Sequence, residues 1–356
     1  IFERFSAPQI RKFFQEEPKA YETTTSIALV SSFIASVLVG KPVPVDAGDG
    51  SGTNLMDIQK RQWNEAAMEA TAPDLSRRMD PVAESGAIAG TIHAYFVKKY
   101  GFREDCLVLP FSGDNPSSLI GLGLVEPGNI GLSLGTSDTL FACMSEPRVS
   151  HKGEGCVFAS PDGRNFMALI CFMNGSLARE SVRNSYGLSW EMFGRILDKT
   201  KAGNEGRLIL PYFDSEIVPN VPAGVRRKSL APEDAAGNVR AVIEAQAMSS
   251  YIHSRWMGID ATDLYVTGGG SVNQEILQIF ADVYGCPLNR SVTTNSAALG
   301  SAFIALKGHQ PTMAWQEIVR PFQSSFNVAT IFPRDETRAT YNELIGAYAE
   351  LESASI

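Results

Sequence analysis

The chain has 356 residues, 44% of them hydrophobic and 20% charged, with a net charge of −8. That length can bury a large core and predicts two domains. The acidic balance, with no Lys/Arg-rich run, argues against nucleic acid or an anionic membrane as partner. Five cysteines (Cys106, Cys143, Cys156, Cys171 and Cys286) show no CxxC spacing and predict free buried thiols in a reducing, cytoplasmic compartment. The four histidines (His93, His151, His253, His309) are scattered and form no zinc pattern. The longest apolar stretch, Ile27 to Val39, is interrupted by serines and too short to span a bilayer.

The chain opens on Ile1-Phe-Glu-Arg-Phe5, without Met, at what reads as a helix entry, so a further N-terminal portion is expected to precede it. Helices are predicted over 8–16, 25–39, 56–69 and 86–100. Between the second and third lies the loop Asp46-Ala-Gly-Asp-Gly-Ser-Gly-Thr53. It superficially matches a calcium loop, but Gly48 and Gly50 occupy the third and fifth positions, where oxygen ligands are needed. Two readings stay open: a substrate-facing turn, or a plain turn.

From residue 104 onward, strands at 106–111, 130–134, 138–143, 166–172, 208–213, 263–267 and 287–292 alternate with helices. The helices are predicted over 116–123, 176–185, 190–199, 236–257, 273–284 and 296–307. Such alternation predicts an α/β domain. The domain boundary is placed near residue 126, at the turn Glu126-Pro-Gly-Asn129, giving domains 1–126 and 127–356.

Three stretches carry chemistry. In CLVLPFSGDNPSSLIG (106–121) a buried strand delivers an acid to a helix start. Proline favours the first helical position, which makes Asn115 the expected cap and leaves Asp114 just outside the helix. That is the carboxyl end of a strand, where open α/β sheets bind ligands. In IGLSLGTSDTLFACM (130–144) two β-rich runs are joined through Gly135-Thr136-Ser137, either a plain hairpin or a concavity whose amides and hydroxyls hold phosphate. In DLYVTGGGSVNQEILQIFADVYG (263–285) a strand ends in three glycines before a helix. Ser271 and Gln274 have capping-box spacing, which predicts a start at 272. Triple glycine is entropically costly and points to close backbone approach by an anionic ligand at a helix N-terminus. Val272 and Asn273 break the GxGxxG pattern and disfavour a dinucleotide fold. The stretch TTNSAALGSAFIALKG (293–308) presents small residues as a close-packing helix face, and Trp190 is read as either core or a stacking platform.

Taken together, SGDN (112–115), LSLGTSDTLF (132–141), TGGGSVN (267–273) and NSAALGSA (295–302) resemble, in order and spacing, the FGGY carbohydrate kinases. The similarity is greatest to the branch of eukaryotic-type D-xylulose kinases and extends through ERFSAPQIRK (3–12), VDAGDGSGTNLMDI (45–58) and CFMNGSLARE (171–180). The resemblance implies an actin/hexokinase-like (ribonuclease H-like) two-domain ATPase fold with its N-terminal domain incomplete. It implies ATP and Mg²⁺ as cofactors and D-xylulose as the small-molecule substrate, with a homodimer left open. Carried over residue by residue, it makes Asp114 the catalytic base and a sugar ligand, and Asn115 and Arg4 sugar contacts. It makes Gly135, Thr136 and Ser137 the second phosphate loop, Gly268, Gly269 and Asn273 the adenosine motif, and Trp190 an ATP contact. The family's first phosphate loop, an Asp-x-Gly-Thr turn, and its early sugar-binding histidine region have no counterpart here, so the chain alone is expected to be inactive. The alternatives are a kinase of another ketose or polyol in the same family, a non-catalytic nucleotide-binding regulator on the same fold, and a dinucleotide-dependent oxidoreductase using the triple glycine, which needs an acid after the next strand where only Asn289-Arg290 stands.

Overall fold

The computed structural model describes residues 3–292 and 295–355. Thr293 and Thr294, which open the stretch TTNSAALGSAFIALKG, lie outside the described residues.

The first part of the chain is helical with short strand pairs. Its helices are α1 (Ser6–Glu16), α2 (Pro18–Thr23), α3 (Val30–Val39), α4 (Ala47–Gly50), α5 (Glu65–Thr71), α6 (Leu75–Arg78) and α7 (Ala94–Tyr100). Strands β1 (Val45–Asp46) and β4 (Val82–Ala83) pair in parallel. Antiparallel pairs join β2 (Met56–Asp57) to β3 (Gln62–Trp63) and β5 (Gly90–Thr91) to β6 (Leu107–Val108). The helix expected over 56–69 is therefore half hairpin. Asp57 accepts the N–H groups of Gln59 and Lys60 in an Asx-type turn, and helix begins only after Asn64, whose Oδ1 accepts the Ala67 N–H at 3.0 Å. The helix expected over 86–100 likewise starts late, at Ala94, behind the cap His93. That expected over 25–39 starts at Val30.

Helix α8 (Asp114–Gly121) leads into a seven-stranded mixed sheet. In chain order its strands are β7 (Asn129–Leu134), β8 (Asp138–Met144), β9 (Cys156–Ala159), β10 (Phe166–Phe172), β15 (Asp263–Thr267), β16 (Leu288–Ser291) and β17 (Asn327–Ile331). Their spatial order is β17-β16-β15-β7-β8-β10-β9, with β7, β15 and β16 mutually parallel at the centre. The predicted strand at 208–213 forms as β11 (Leu208–Tyr212) but pairs with β14 (Gly224–Lys228) outside this sheet. A small hairpin, β12 (Glu216–Ile217) with β13 (Asn220–Val221), lies between them in sequence.

Both faces of the large sheet are buried, and the strand period of two sorts them. Leu140, Ala142, Ala168 and Ile170 face one core with α11 (Ala235–Ser254), α12 (Gln274–Tyr284) and α15 (Arg338–Ser353). Phe141, Met167 and Leu169 face the other, with Leu119 and Leu122 at α8. Helix α11 is buried nearly all round, as expected of a helix inside a large core. Helices α9 (Ser176–Ser185) and α10 (Trp190–Lys199) form as the spacing predicts. Helix α13 (Ser296–His309) lies against α8 and is joined by α14 (Trp315–Phe326). The small residues predicted to pack closely do so: the hydroxyls of Ser296 and Ser301 meet those of Ser118 and Ser117 at 3.2 and 3.4 Å.

Edge strand β9 docks the first part of the chain on the sheet. The Ala159 N–H donates to Ser51 Oγ at 3.0 Å. The Arg61 guanidinium, 9% exposed, donates to the carbonyls of Ser160 and Asn165 and to Glu84.

Candidate active site

The acid at the start of α8 stands two positions further in than the sequence predicts. Gly113 is extended (φ −70°, ψ 163°) and caps the helix without a side chain, so Asp114 is its first residue and Asn115 its second. Pro116 is third rather than first, which the first turn tolerates because its N–H groups have no intrahelical partner. Asp114 is exposed, and its Oδ1 accepts the Asn115 N–H at 2.7 Å. A carboxylate here gains from the helix dipole.

Asp114 does not stand alone. The loop Asp46–Thr53 folds against Ser112-Gly113, so tightly that a Cβ on Gly48 would meet Ser112 Oγ at 2.7 Å and one on Gly113 would meet Asp49 Oδ1 at 2.9 Å. The loop predicted as a turn is a turn, and it packs beside the residues that precede Asp114. Asp46 is fully buried and caps α4, accepting the Asp49 N–H at 3.1 Å and the Ser85 hydroxyl. Burial pushes its carboxyl up, against the pull of the Ser112 and Ser85 hydroxyls. Asp49 is also pushed up, first by burial and then by the negative charge of Asp114, while the Ser31 hydroxyl pulls the other way. Asp49 is thus a neighbour of the expected base that sequence reasoning did not single out. The only signal was an acid in a glycine-rich turn.

The second group lies at the carboxyl ends of the neighbouring parallel strands β7 and β15. Gly135-Thr136-Ser137 follows β7 and turns into β8, with Leu134 opposite Asp138. Gly268 follows β15 with φ +89° and packs so closely on Leu134 that a Cβ would lie 2.6 Å from its carbonyl oxygen. Only glycine fits both that conformation and that approach. Below the first loop, Arg179 of α9 is 2% exposed and grips Asp138 through two bonds of 2.9 Å. Its Nη2 also donates to the Gly135 carbonyl at 3.2 Å, and the Ser176 N–H donates to the same oxygen at 2.9 Å. Ser137 Oγ lies 3.9 Å from Met173 Sδ. Arg179 escaped the sequence reading because its partners lie 41 and 67 residues away.

The helix after the triple glycine starts later than its capping-box spacing predicts. Gly269–Val272 form a short 3₁₀ turn, the Ser271 hydroxyl donates to the Gly268 carbonyl at 2.7 Å, and Asn273 caps α12 by accepting the Ile276 N–H at 3.0 Å. Asparagine is as good a cap as serine, so the cap moves to the residue the backbone presents. With Oδ1 so engaged, the Asn273 amide nitrogen approaches Gly194, where a Cβ would lie 2.8 Å away.

A cavity of about 540 Å³ opens beside these elements, lined by Ser176, Glu180, Trp190, Gly269 and Asn273 among others. Trp190 is 45% exposed, packs edge-on against Phe193 at 5.5 Å and carries the Arg183 guanidinium over its ring at 4.6 Å. It is therefore a cavity wall and not core. The structure brings Trp190, Gly269 and Asn273 into one cavity, and joins Gly135 to it through Ser176 and Arg179. Asp114 and Asn115 sit with Asp49, apart from that lining. Arg4 is exposed, its guanidinium 5.7 Å from the Phe5 ring, and its charge reaches Cys156 and Cys171 on β9 and β10. All five cysteines are free, as expected, but only Cys143 and Cys286 are buried, and Cys106, Cys156 and Cys171 are half-buried. Among the described residues, no helix is long and apolar enough to cross a membrane.

Comparison with known proteins identifies the family and the fold. The sequence profile described as "FGGY family of carbohydrate kinases, N-terminal domain" matches residues 1–121, and that of the C-terminal domain matches residues 131–308. The chain is 41% identical to "Xylulose kinase" of Rattus norvegicus over 99% of its own length and 67% of that protein's. It is 41% identical to "Xylulose kinase" of Mus musculus over 99% and 65%, and 39% identical to "Xylulose kinase 2" of Arabidopsis thaliana over 86% and 58%. The chain thus spans two thirds or less of the length of these curated relatives. Among solved structures, a xylulose kinase from Brucella ovis superposes with a TM-score of 0.87 at 23% identity, covering 99% of this chain and 73% of that one. Plasmodium falciparum glycerol kinase with ADP gives 0.81 at 18%, covering 97% and 71%. The fold is that of the actin/hexokinase-like sugar kinases, and the chain belongs to the FGGY family of carbohydrate kinases.

Proposed function

We propose that the protein carrying this chain is an ATP-dependent sugar kinase that converts D-xylulose to D-xylulose 5-phosphate. The observation that carries the sugar assignment is the 41% identity to two proteins named xylulose kinase over 99% of the chain. Two domains meeting near residue 126 contribute to the reaction, and the free thiols suit a cytoplasmic protein.

Phosphoryl transfer depends on positioning and on stabilising charge. Asp114 accepts the proton of the terminal sugar hydroxyl as that oxygen forms its bond to the γ-phosphorus and the bond to the departing ADP oxygen breaks. Asn115 and Arg4 orient the polyol. Gly135, Thr136 and Ser137, held from below by Arg179, receive phosphate oxygens. Gly268 and Gly269 allow close approach of the nucleotide, Asn273 offers its amide nitrogen, and Trp190 offers a ring face. Mg²⁺ would neutralise phosphate charge. The described residues contain no group of three or more His, Cys, Asp or Glu side chains able to hold a metal ion, so no step here runs through one.

The test is sugar-stimulated ADP formation by the full-length protein with D-xylulose, other ketoses, gluconate and glycerol. The expected result is a kcat/KM for D-xylulose at least about ten-fold above the others, the level at which pocket contacts discriminate. A higher value for gluconate or glycerol would redirect the substrate assignment, and no nucleotide turnover with any of them would overturn the kinase reading.

A further inference from the structure

We propose that Glu180 reads the ribose of the bound nucleotide, its carboxylate accepting hydrogen bonds from the 2′- and 3′-hydroxyls. The inference rests on the reading of the 540 Å³ cavity as the nucleotide site. Helix α9 runs along that cavity like a ruler. At its first residue, the Ser176 N–H is bonded at 2.9 Å to the Gly135 carbonyl of the phosphate loop. Seven residues on, Arg183 stacks at 4.6 Å over the ring of Trp190, the aromatic wall beside Asn273. The first point belongs to the phosphate end of a nucleotide and the second to its base. Glu180 lies one turn beyond Ser176, about 6 Å along the helix axis, and lines the cavity between them. The order along the helix is phosphate, ribose, base.

Charge makes the same assignment. A carboxylate lining a pocket for a polyanion is repelled by every phosphate and finds donors only in the sugar hydroxyls or a base amine. The other acid lining the cavity, Glu191, is engaged by Arg195 at 2.6 Å and is largely exposed. Arg179 is committed to Asp138, Gln246 and the Gly135 carbonyl. Among the described residues, Glu180 makes only a long contact, 3.4 Å, with Ser176 Oγ on its own helix. It is left to recognise the vicinal diol, for which a carboxylate supplies two acceptor oxygens.

The test is equilibrium binding of ATP and of 2′,3′-dideoxy-ATP to the full-length protein, wild type and with Glu180→Ala or Glu180→Gln, followed by calorimetry. Wild type should bind ATP at least about ten-fold more tightly than the dideoxy nucleotide, the worth of one to two hydrogen bonds to a charged group. Both variants should weaken ATP to the dideoxy level and leave dideoxy-ATP unchanged or tighter, since a negative charge has gone. Equal losses for both nucleotides, or no discrimination by the wild type, would overturn the ribose assignment while leaving the nucleotide site intact. Failure of the wild type to bind either nucleotide would overturn the site reading and this inference with it. A Glu180→Asp variant separates reach from fold: it should recover part of the discrimination if the carboxylate touches the hydroxyls, and none if it only supports α9.

Discussion

Gly121 of α8 and Gly300 of α13 bring their two helices into backbone contact. A Cβ on Gly300 would lie 1.7 Å from the Ser117 carbonyl oxygen, and one on Gly121 would lie 1.9 Å from that of Ser296. Helix α8 begins at Asp114, so this crossing fixes the proposed base relative to α13. Gly300→Ala is expected to destabilise by at least about 3 kcal/mol, the upper end of overpacking costs, because backbone cannot rotate away as a side chain can. Urea unfolding measures it. A loss below 1 kcal/mol would mean that the helices separate freely.

Asn273 caps α12 and is proposed to donate its amide to the nucleotide, and substitution separates the two roles. Asn273→Asp keeps an oxygen to cap α12 and removes the amide donor. ATP affinity should fall by about 1–3 kcal/mol, while thermal stability stays near wild type. Asn273→Ala should lose the donor and also about 1 kcal/mol of cap. An ATP affinity unchanged in Asn273→Asp would remove the donor role.

Strong periodicity made much of the fold legible in advance. Strands 166–172 and 263–267 and helices 176–185 and 190–199 form as predicted, because their alternating or amphipathic patterns are confirmed by burial on the sheet or against α11. The hairpin at 56–63 falls inside a predicted helix because its two-residue strands are too short to show a period. Helix α15 has no counterpart among the predicted elements, although its Tyr341, Leu344 and Tyr348 are buried in the main core. At the site, Asp114, Gly135, Gly268 and Asn273 were visible as local motifs. Asp49 and Arg179 were not, since each matters through a contact made by tertiary folding: Asp49 against Gly113, Arg179 under Gly135.

His253 makes a pH-dependent contribution to stability. Buried at the end of α11, it bridges Glu154 and Glu352, each at 3.0 Å. Burial alone would lower its pKa, but the hydrogen bonds and charges of the two carboxylates outweigh it and raise it to about 9. A histidine raised above its unfolded value of 6.5 stabilises fully below that pH and loses the contribution as pH rises through 9. Unfolding free energy should therefore fall with a slope of up to about 1.4 kcal/mol per pH unit across that window. His253→Gln should flatten the slope. A wild-type profile flat from pH 6.5 to 9 would contradict the bridged, protonated state.

The central claim is that Asp114 is the general base, and the most direct test is the turnover of full-length Asp114→Asn. The amide keeps the side chain's size and its place in the first turn of α8, so folding and nucleotide affinity should stay within a few-fold of wild type. Removing a positioned general base costs about 10²–10⁴ in rate, so D-xylulose-dependent ADP formation should fall by about a thousand-fold. Turnover within ten-fold of wild type would contradict the assignment.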